Sequence, residues 1–139
     1  MAGKGFGEWS FTALRIALAA VFMYHGYGKL FAPGGFTGTV TFFTSIGIPL
    51  PNYAALLVGI VEFFGGLFLF LGMVTKWSST LLLIDMLVAL FKVHLKNGMN
   101  SSKGGYEFVL ILIAGLIVIW ANGPGKLAFG KFFKGKRMH

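Results

Sequence analysis

Ionisable side chains occur inside runs of apolar residues, where they could bind a polar ligand or exchange a proton. They are Arg15, His25 and Lys29 in the first run, Glu62 in the second, Asp85, Lys92 and His94 in the third, and Glu107 in the fourth. In the middle of a bilayer such a charge costs about 2.5–3.5 kcal/mol on insertion scales. We therefore expect these side chains to face one another or a shared cavity. Without the two histidines, the set contains equal numbers of cations and carboxylates.

Helical geometry predicts which of these side chains share a face. At about 100° per residue, Arg15, His25 and Lys29 fall within roughly 80° of one another, so one face of the first helix is polar and should point inward. In a regular helix His94 would lie nearly opposite Asp85. His94 therefore either borders a different neighbour or lies where the helix is no longer regular.

The depth of each residue, at about 1.5 Å per helical position, predicts a polar pocket that opens outward. Glu62 and Asp85 lie near the middle of the membrane, and Arg15 lies closer to the cytoplasm. The outward half holds His25, Lys29, Lys92, His94 and Glu107, with Tyr24, Tyr27 and Tyr106 around them. The predicted ligand-binding residues are nine of these, namely Arg15, Tyr24, His25, Lys29, Glu62, Asp85, Lys92, His94 and Glu107.

The alternative to ligand binding is a structural role, and it applies to each of these ionisable residues. Arg15, Lys29, Lys92 and Glu107 are close enough to span ends to extend toward the headgroups. Glu62 and Asp85 could instead form interhelical ion pairs that fix the register of the bundle. The two histidines could be structural, which we favour over a haem bound between them. No metal site is predicted, because the Glu-x-x-His pairs of di-iron bundles are missing.

The elements that must position these groups are membrane-spanning helices. The chain has 139 residues, of which 56% are hydrophobic and only 12% charged, against about 25% charged in soluble domains. Four apolar runs are about the length of a bilayer span. They cover residues 11–31, 53–74, 77–95 and 106–121. We predict a single all-α domain, an integral membrane bundle of four transmembrane helices, with the lipid bilayer as its surroundings.

The segments between and after the runs complete this topology. Residues 36–46 have the apolar spacing of a short helix that lies at the membrane interface or dips partly into the membrane. The basic tail, residues 126–139, carries much of the net charge of +8, which suits anionic lipid headgroups rather than nucleic acid. The distribution of Lys and Arg places both termini in the cytoplasm. The chain has no cysteine, so any redox chemistry must use something other than its own thiols.

Several short motifs occur in an order that resembles the DoxX family. They are Arg15, the segment from Tyr24 to Leu30, Gly47-Ile48-Pro49, Glu62 to Gly66, His94, and Gly123-Pro124-Gly125. The resemblance implies four transmembrane helices in a bacterial or archaeal plasma membrane. It also implies a link to quinone-dependent oxidoreductase systems, with His25, Lys29, Glu62 and His94 at the recurrent polar positions.

The leading expectation is a membrane subunit of a redox system that binds a quinone or a small anion. His25 and Lys29 would donate hydrogen bonds to the ligand, and Glu62 would orient them and exchange a proton. A membrane or soluble redox protein would be its partner, and a homo-oligomer is compatible with the sequence. Whether the chain is itself an enzyme stays open. The alternatives are an assembly partner of another membrane protein, and a small-solute transporter with Asp85 and Arg15 as an inner gate.

Overall fold

A computed structural model of the protein describes residues 4–135, which form helices and connecting turns without any β-strand. The α-helices are α1 (Lys4–Leu30), α2 (Gly35–Ser45), α3 (Pro51–Leu71), α4 (Thr75–Ala89), α5 (Glu107–Asn122) and α6 (Phe129–Gly135). A π-helical turn, Leu90–His94, continues α4, and short 3-10 turns follow at Leu95–Asn97 and Ser101–Lys103. The predicted all-α class is confirmed.

Three of the helices are long and apolar enough to cross a membrane. They cover Gly5–Leu30, Pro51–Leu71 and Thr75–Asn97. The fourth, α5, has 16 residues, or about 24 Å of helix against a hydrocarbon thickness of about 30 Å. It packs against α1 and α4 as a member of the same bundle. Large apolar side chains such as Leu57 (63% exposed) and Ile111 (69% exposed) cover the outside, which suits contact with acyl chains.

The bundle has two distinct ends. The loop end contains the end of α1, helix α2 and the connection from the π turn to α5, and the termini end contains the start of α1, the α3–α4 turn and α6. Pro51 begins α3 at a position where its missing N–H costs nothing. Gly72, with φ 68°, ends α3 in the left-handed conformation that glycine tolerates. Helix α4 begins three residues later, so α3 and α4 run antiparallel.

Helices α1 and α3 approach closely enough that their backbones nearly touch. Gly26 leaves no room for a Cβ, which would collide with the backbone of Phe63. Gly66 lies against Met23 in the same way, with a Cβ 2.9 Å from the Met23 backbone nitrogen. Small residues at such crossings permit close helix packing in membranes. This contact fixes the end of α1 beside the middle of α3.

The apolar core lies in the interior of the bundle and draws on its four longest helices. Its buried members are Leu18, Ala19, Phe22, Leu69, Leu82, Met86, Val109, Leu112, Leu116 and Ile119. The predicted short helix at residues 36–46 corresponds to α2, which packs against α1 and α3 at the loop end.

The segment after α5 folds back onto the start of α1. The backbone N–H groups of Lys126 and Leu127 donate to Thr12 Oγ1 at 2.8 and 3.4 Å. Arg15 donates to the backbone carbonyl of Pro124, and its Nη2 donates to that of Phe70 at 3.3 Å. We call Thr12, Arg15 and residues 124–127 the clasp. Residues 136–139 of the predicted basic tail lie outside the described residues.

Candidate functional site

A cavity of about 690 Å³ lies inside the loop end of the bundle, and we call it the main cavity. Its wall comes from α1, α2, α3, α4 with its π turn, and α5. This volume is typical of a small-molecule site. Six of the predicted pocket residues line it, namely His25, Lys29, Glu62, Asp85, Lys92 and His94.

An interhelical ion pair lies in the wall of the main cavity. Lys29 Nζ is 2.6 Å from Glu62 Oε2, and the two side chains are 23% and 5% exposed. Such a short, charge-assisted hydrogen bond in an apolar setting keeps both side chains in place. It also places charged groups beside a space of ligand size.

Asp85 adds a second carboxylate to this pair. It lines the same cavity as Glu62 and Lys29. Its Oδ2 is buried and has no hydrogen-bond partner among residues 4–135. A buried acceptor without a donor is costly. The ion pair of Lys29 is with Glu62, so this Asp85 oxygen is left to accept a hydrogen bond.

The π turn brings His94 to the same cavity. A π turn takes one more residue per hydrogen bond than an α-helix, so it turns the following residues back by about 100°. His94 and Asp85 therefore line one cavity, although a regular helix would place them on opposite sides. His94 Nδ1 lies 2.8 Å from the carbonyl oxygen of Gly104. Because a carbonyl only accepts, Nδ1 carries the hydrogen, and Nε2 of the neutral ring is available to a ligand.

His25 lies at the edge of the main cavity between aromatic rings. Its ring packs edge-on against Tyr24 at 5.5 Å and tilted against Phe108 at 6.4 Å between centroids. Lys92, in the π turn, is an exposed residue of the cavity wall. Both groups can therefore reach a ligand without being fixed by an ion pair.

Three predicted pocket residues lie elsewhere. Arg15 is buried at the termini end, where its guanidinium bonds backbone carbonyls of the clasp and of α3. Glu107 accepts hydrogen bonds from the N–H and the hydroxyl of Ser101 at 2.8 and 2.7 Å, so it holds the loop before α5. Tyr24 is 76% exposed and lines a smaller neighbouring cavity instead.

Helix α2 contributes a wall of the main cavity that the sequence did not predict. Gly35, Gly38, Thr39 and the two phenylalanines that follow line this cavity. The helical spacing of α2 predicts a short helix at the membrane interface or partly within it, but not that it packs over a cavity. Among residues 4–135, no group of three or more His, Asp or Glu side chains is placed to hold a metal ion.

These features define an integral membrane helical bundle with an internal cavity that is apolar apart from a small cluster of charged groups. The DoxX family model matches residues 10–95 of the chain. The protein belongs to the DoxX family, as the order of its short motifs predicts.

Three relatives that match most of the chain are named as membrane or oxidoreductase proteins. "Putative oxidoreductase CatD" of Bacillus subtilis is 33% identical over 125 residues, which cover 89% of this chain and 87% of CatD. Inner membrane protein YphA of Escherichia coli is 27% identical over 84% of this chain and 85% of its own length. Uncharacterized membrane protein Rv3486 of Mycobacterium tuberculosis is 29% identical over 86% of this chain and 78% of its own length. No solved structure gives a significant match.

Proposed function

We propose that this DoxX protein binds a quinone-type ring in its reduced, hydroxyl-bearing form inside the main cavity, as the membrane component of a redox system. One observation carries the proposal. Asp85 Oδ2 is a buried acceptor without a donor, next to the Lys29–Glu62 ion pair and in the wall of an otherwise apolar cavity. A ring hydroxyl supplies the missing donor, and the apolar wall receives the ring.

The charge of the cluster favours a quinol over a small anion. Lys29 is already paired with Glu62, and Asp85 adds a further carboxylate. An anion placed here would meet two carboxyl groups and an ammonium that is already paired, whereas a neutral quinol would meet an acceptor at Asp85 and a donor at Lys29. His94 Nε2 and Lys92 supply further polar contacts for the ring substituents.

The redox role is supported by the relative from Bacillus subtilis that is named "Putative oxidoreductase CatD". The chain has no cysteine to carry electrons. We infer that it supplies the binding site and the proton-exchanging carboxylates, and that a partner redox protein exchanges electrons with the ring.

We infer that the loop end faces outward and the termini end faces the cytoplasm of a bacterial or archaeal cell. Lys76, which lies 4.5 Å from the ring centroid of Trp120, and the basic segment after α5 share the termini end. An excess of Lys and Arg on one side of short loops is typical of the cytoplasmic side.

Ligand binding to the protein in lipid nanodiscs tests the proposal. The probe is radiolabelled dimethoxymethylhydroquinone, a quinol ring without a tail, which we call the ring probe. We expect Asp85→Asn, which turns one acceptor oxygen into a donor, to weaken its binding by about ten-fold. Lys29→Met should weaken it at least as much, since it also leaves Glu62 without a cation.

Glu8→Gln is the matched control, because it makes the same carboxylate-to-amide change at the exposed termini end. Its affinity for the ring probe should equal that of the native protein. Failure of the native protein to bind the ring probe, or native affinity in Asp85→Asn, would refute the proposed site.

A further inference from the structure

A second cavity of about 480 Å³ adjoins the main cavity at the loop end, and we call it the side cavity. Its wall consists of Tyr24, His25, Tyr27, Gly28, Lys29, Ala32 and Thr39. Three of these residues, His25, Lys29 and Thr39, also line the main cavity. The two spaces are therefore neighbours, with these three side chains between them.

The side cavity faces the outside of the bundle. Tyr24 and Tyr27 are 76% and 53% exposed, and Gly28 and Ala32 are too small to fill the space between their rings. Tyrosine has an apolar ring and a polar hydroxyl, and it is typical of the edge of a membrane, near the headgroups. The side cavity is thus an aromatic slot between the charged cluster and the lipid.

We propose that the side cavity holds the apolar tail of a lipid-soluble quinol whose ring occupies the main cavity. This inference rests on the proposed function. It narrows the ligand class from any quinol to a quinol that carries a long hydrocarbon tail. A ring carried on a long hydrocarbon chain can reach the charged cluster only if the chain has a route back to the acyl region. The side cavity adjoins the ring site and opens where that route must begin.

Gly28 offers a way to close the slot without disturbing the fold. It belongs to the wall of the side cavity but not to that of the main cavity. A Cβ added there meets no heavy atom within 4 Å, and leucine is a better helix former than glycine. Gly28→Leu should therefore fill the slot while α1 keeps its structure.

The experiment compares two probes in nanodiscs: the ring probe and the same ring carrying a decyl chain, which we call the tailed probe. We expect Gly28→Leu to weaken binding of the tailed probe by about ten-fold, the effect of forcing extra atoms into a filled site. Binding of the ring probe should change by less than about two-fold, since the main cavity is untouched.

Gly7→Leu is the matched control in the same helix, because a Cβ at Gly7 also meets no heavy atom within 4 Å. It lies at the termini end and should leave the affinity for both probes unchanged. Equal losses for the two probes, or no loss for either, in Gly28→Leu would overturn the assignment of the side cavity.

The two proposals fail in different ways. If the native protein does not bind the ring probe, the proposed function is wrong. If it binds the ring probe but Gly28→Leu does not distinguish the two probes, only the tail site is wrong, and an acyl chain of a phospholipid is the better occupant of the slot.

Discussion

Helix α1 carries a cation toward each end of the bundle, and the two cations have different partners. At the termini end, Arg15 is 2% exposed and donates to backbone carbonyls of Phe70 and Pro124. At the loop end, Lys29 bonds the carboxylate of Glu62, with Asp85 beside it. Backbone carbonyls accept hydrogen bonds but do not exchange protons near neutral pH, whereas carboxylates do both.

Along α1, the residues at the termini end hold the fold together, and those at the loop end are the candidates for chemistry. The clasp holds the end of α3 and the segment after α5 against α1, and neither cavity includes its residues. The charged cluster at the loop end lies in a cavity wall and contains an acceptor that is still unused. Mutations in the clasp should therefore lower stability without changing ligand binding, whereas mutations in the charged cluster should weaken ligand binding.

Loss of the arginine at the clasp should have the largest effect on stability. Arg15→Met leaves two backbone carbonyls without their charged donor, which costs about 3–6 kcal/mol at about 1.5–3 kcal/mol for each bond. Denaturation in detergent micelles measures the loss. Affinity for the ring probe in the folded fraction should be unchanged, and a loss of binding without a loss of stability would contradict the division between the two ends.

Changes in the charged cluster should show coupling. Glu62→Gln should lower the free energy of unfolding by about 1–2 kcal/mol, because Asp85 can still balance Lys29. Adding Asp85→Asn removes the second carboxylate, and the double variant should lose about 1–2 kcal/mol more than the sum of the single variants. Denaturation of all four members of the cycle measures this coupling. Strict additivity would show that Asp85 and Glu62 do not share the lysine.

We expect the smallest effect on stability from loss of the exposed ion pair at the termini end. Lys126 Nζ is 3.7 Å from Glu8 Oε2, and these side chains are 52% and 45% exposed. Lys126→Met should lower stability by less than about 1 kcal/mol, as is usual for surface pairs. The loss should disappear at high salt, since screening already removes this interaction. A larger loss would show that the clasp depends on charge rather than on hydrogen bonds.

Much of the fold was predictable, because the length of each apolar run and the positions of helix-breaking residues determine where a membrane helix begins and ends. Pro51 begins α3 and Gly72 ends it. Both effects follow from the backbone properties of proline and glycine, so they can be predicted from the sequence. The start of α1 at Lys4, before the predicted residue 11, was not predictable, because residues 4–10 mix glycine and polar side chains. Their helix is supported by the clasp, which is a contact between distant parts of the chain.

The site was only partly predictable. Residues of one helix must share a face to belong to one site, but a shared face does not by itself show that they do. Arg15 and Lys29 lie on one face of α1, yet 14 helical positions separate them by about 21 Å along the axis. That distance places them at opposite ends of the bundle. Glu107 was assigned to the pocket by depth alone, whereas its position at a helix start directs it to the N–H of Ser101. The apolar spacing of α2 predicts the helix, whereas its contribution to the cavity wall depends on tertiary packing.

The π turn at Leu90–His94 can be regarded as a one-residue insertion in an otherwise regular helix. A homologue that lacked this residue would keep its third span but rotate the corresponding histidine by about 100°, away from the main cavity. The number of residues between the aspartate and the histidine therefore decides whether both line that cavity. Family members that retain both residues but differ in this spacing should not be assumed to bind the same molecule.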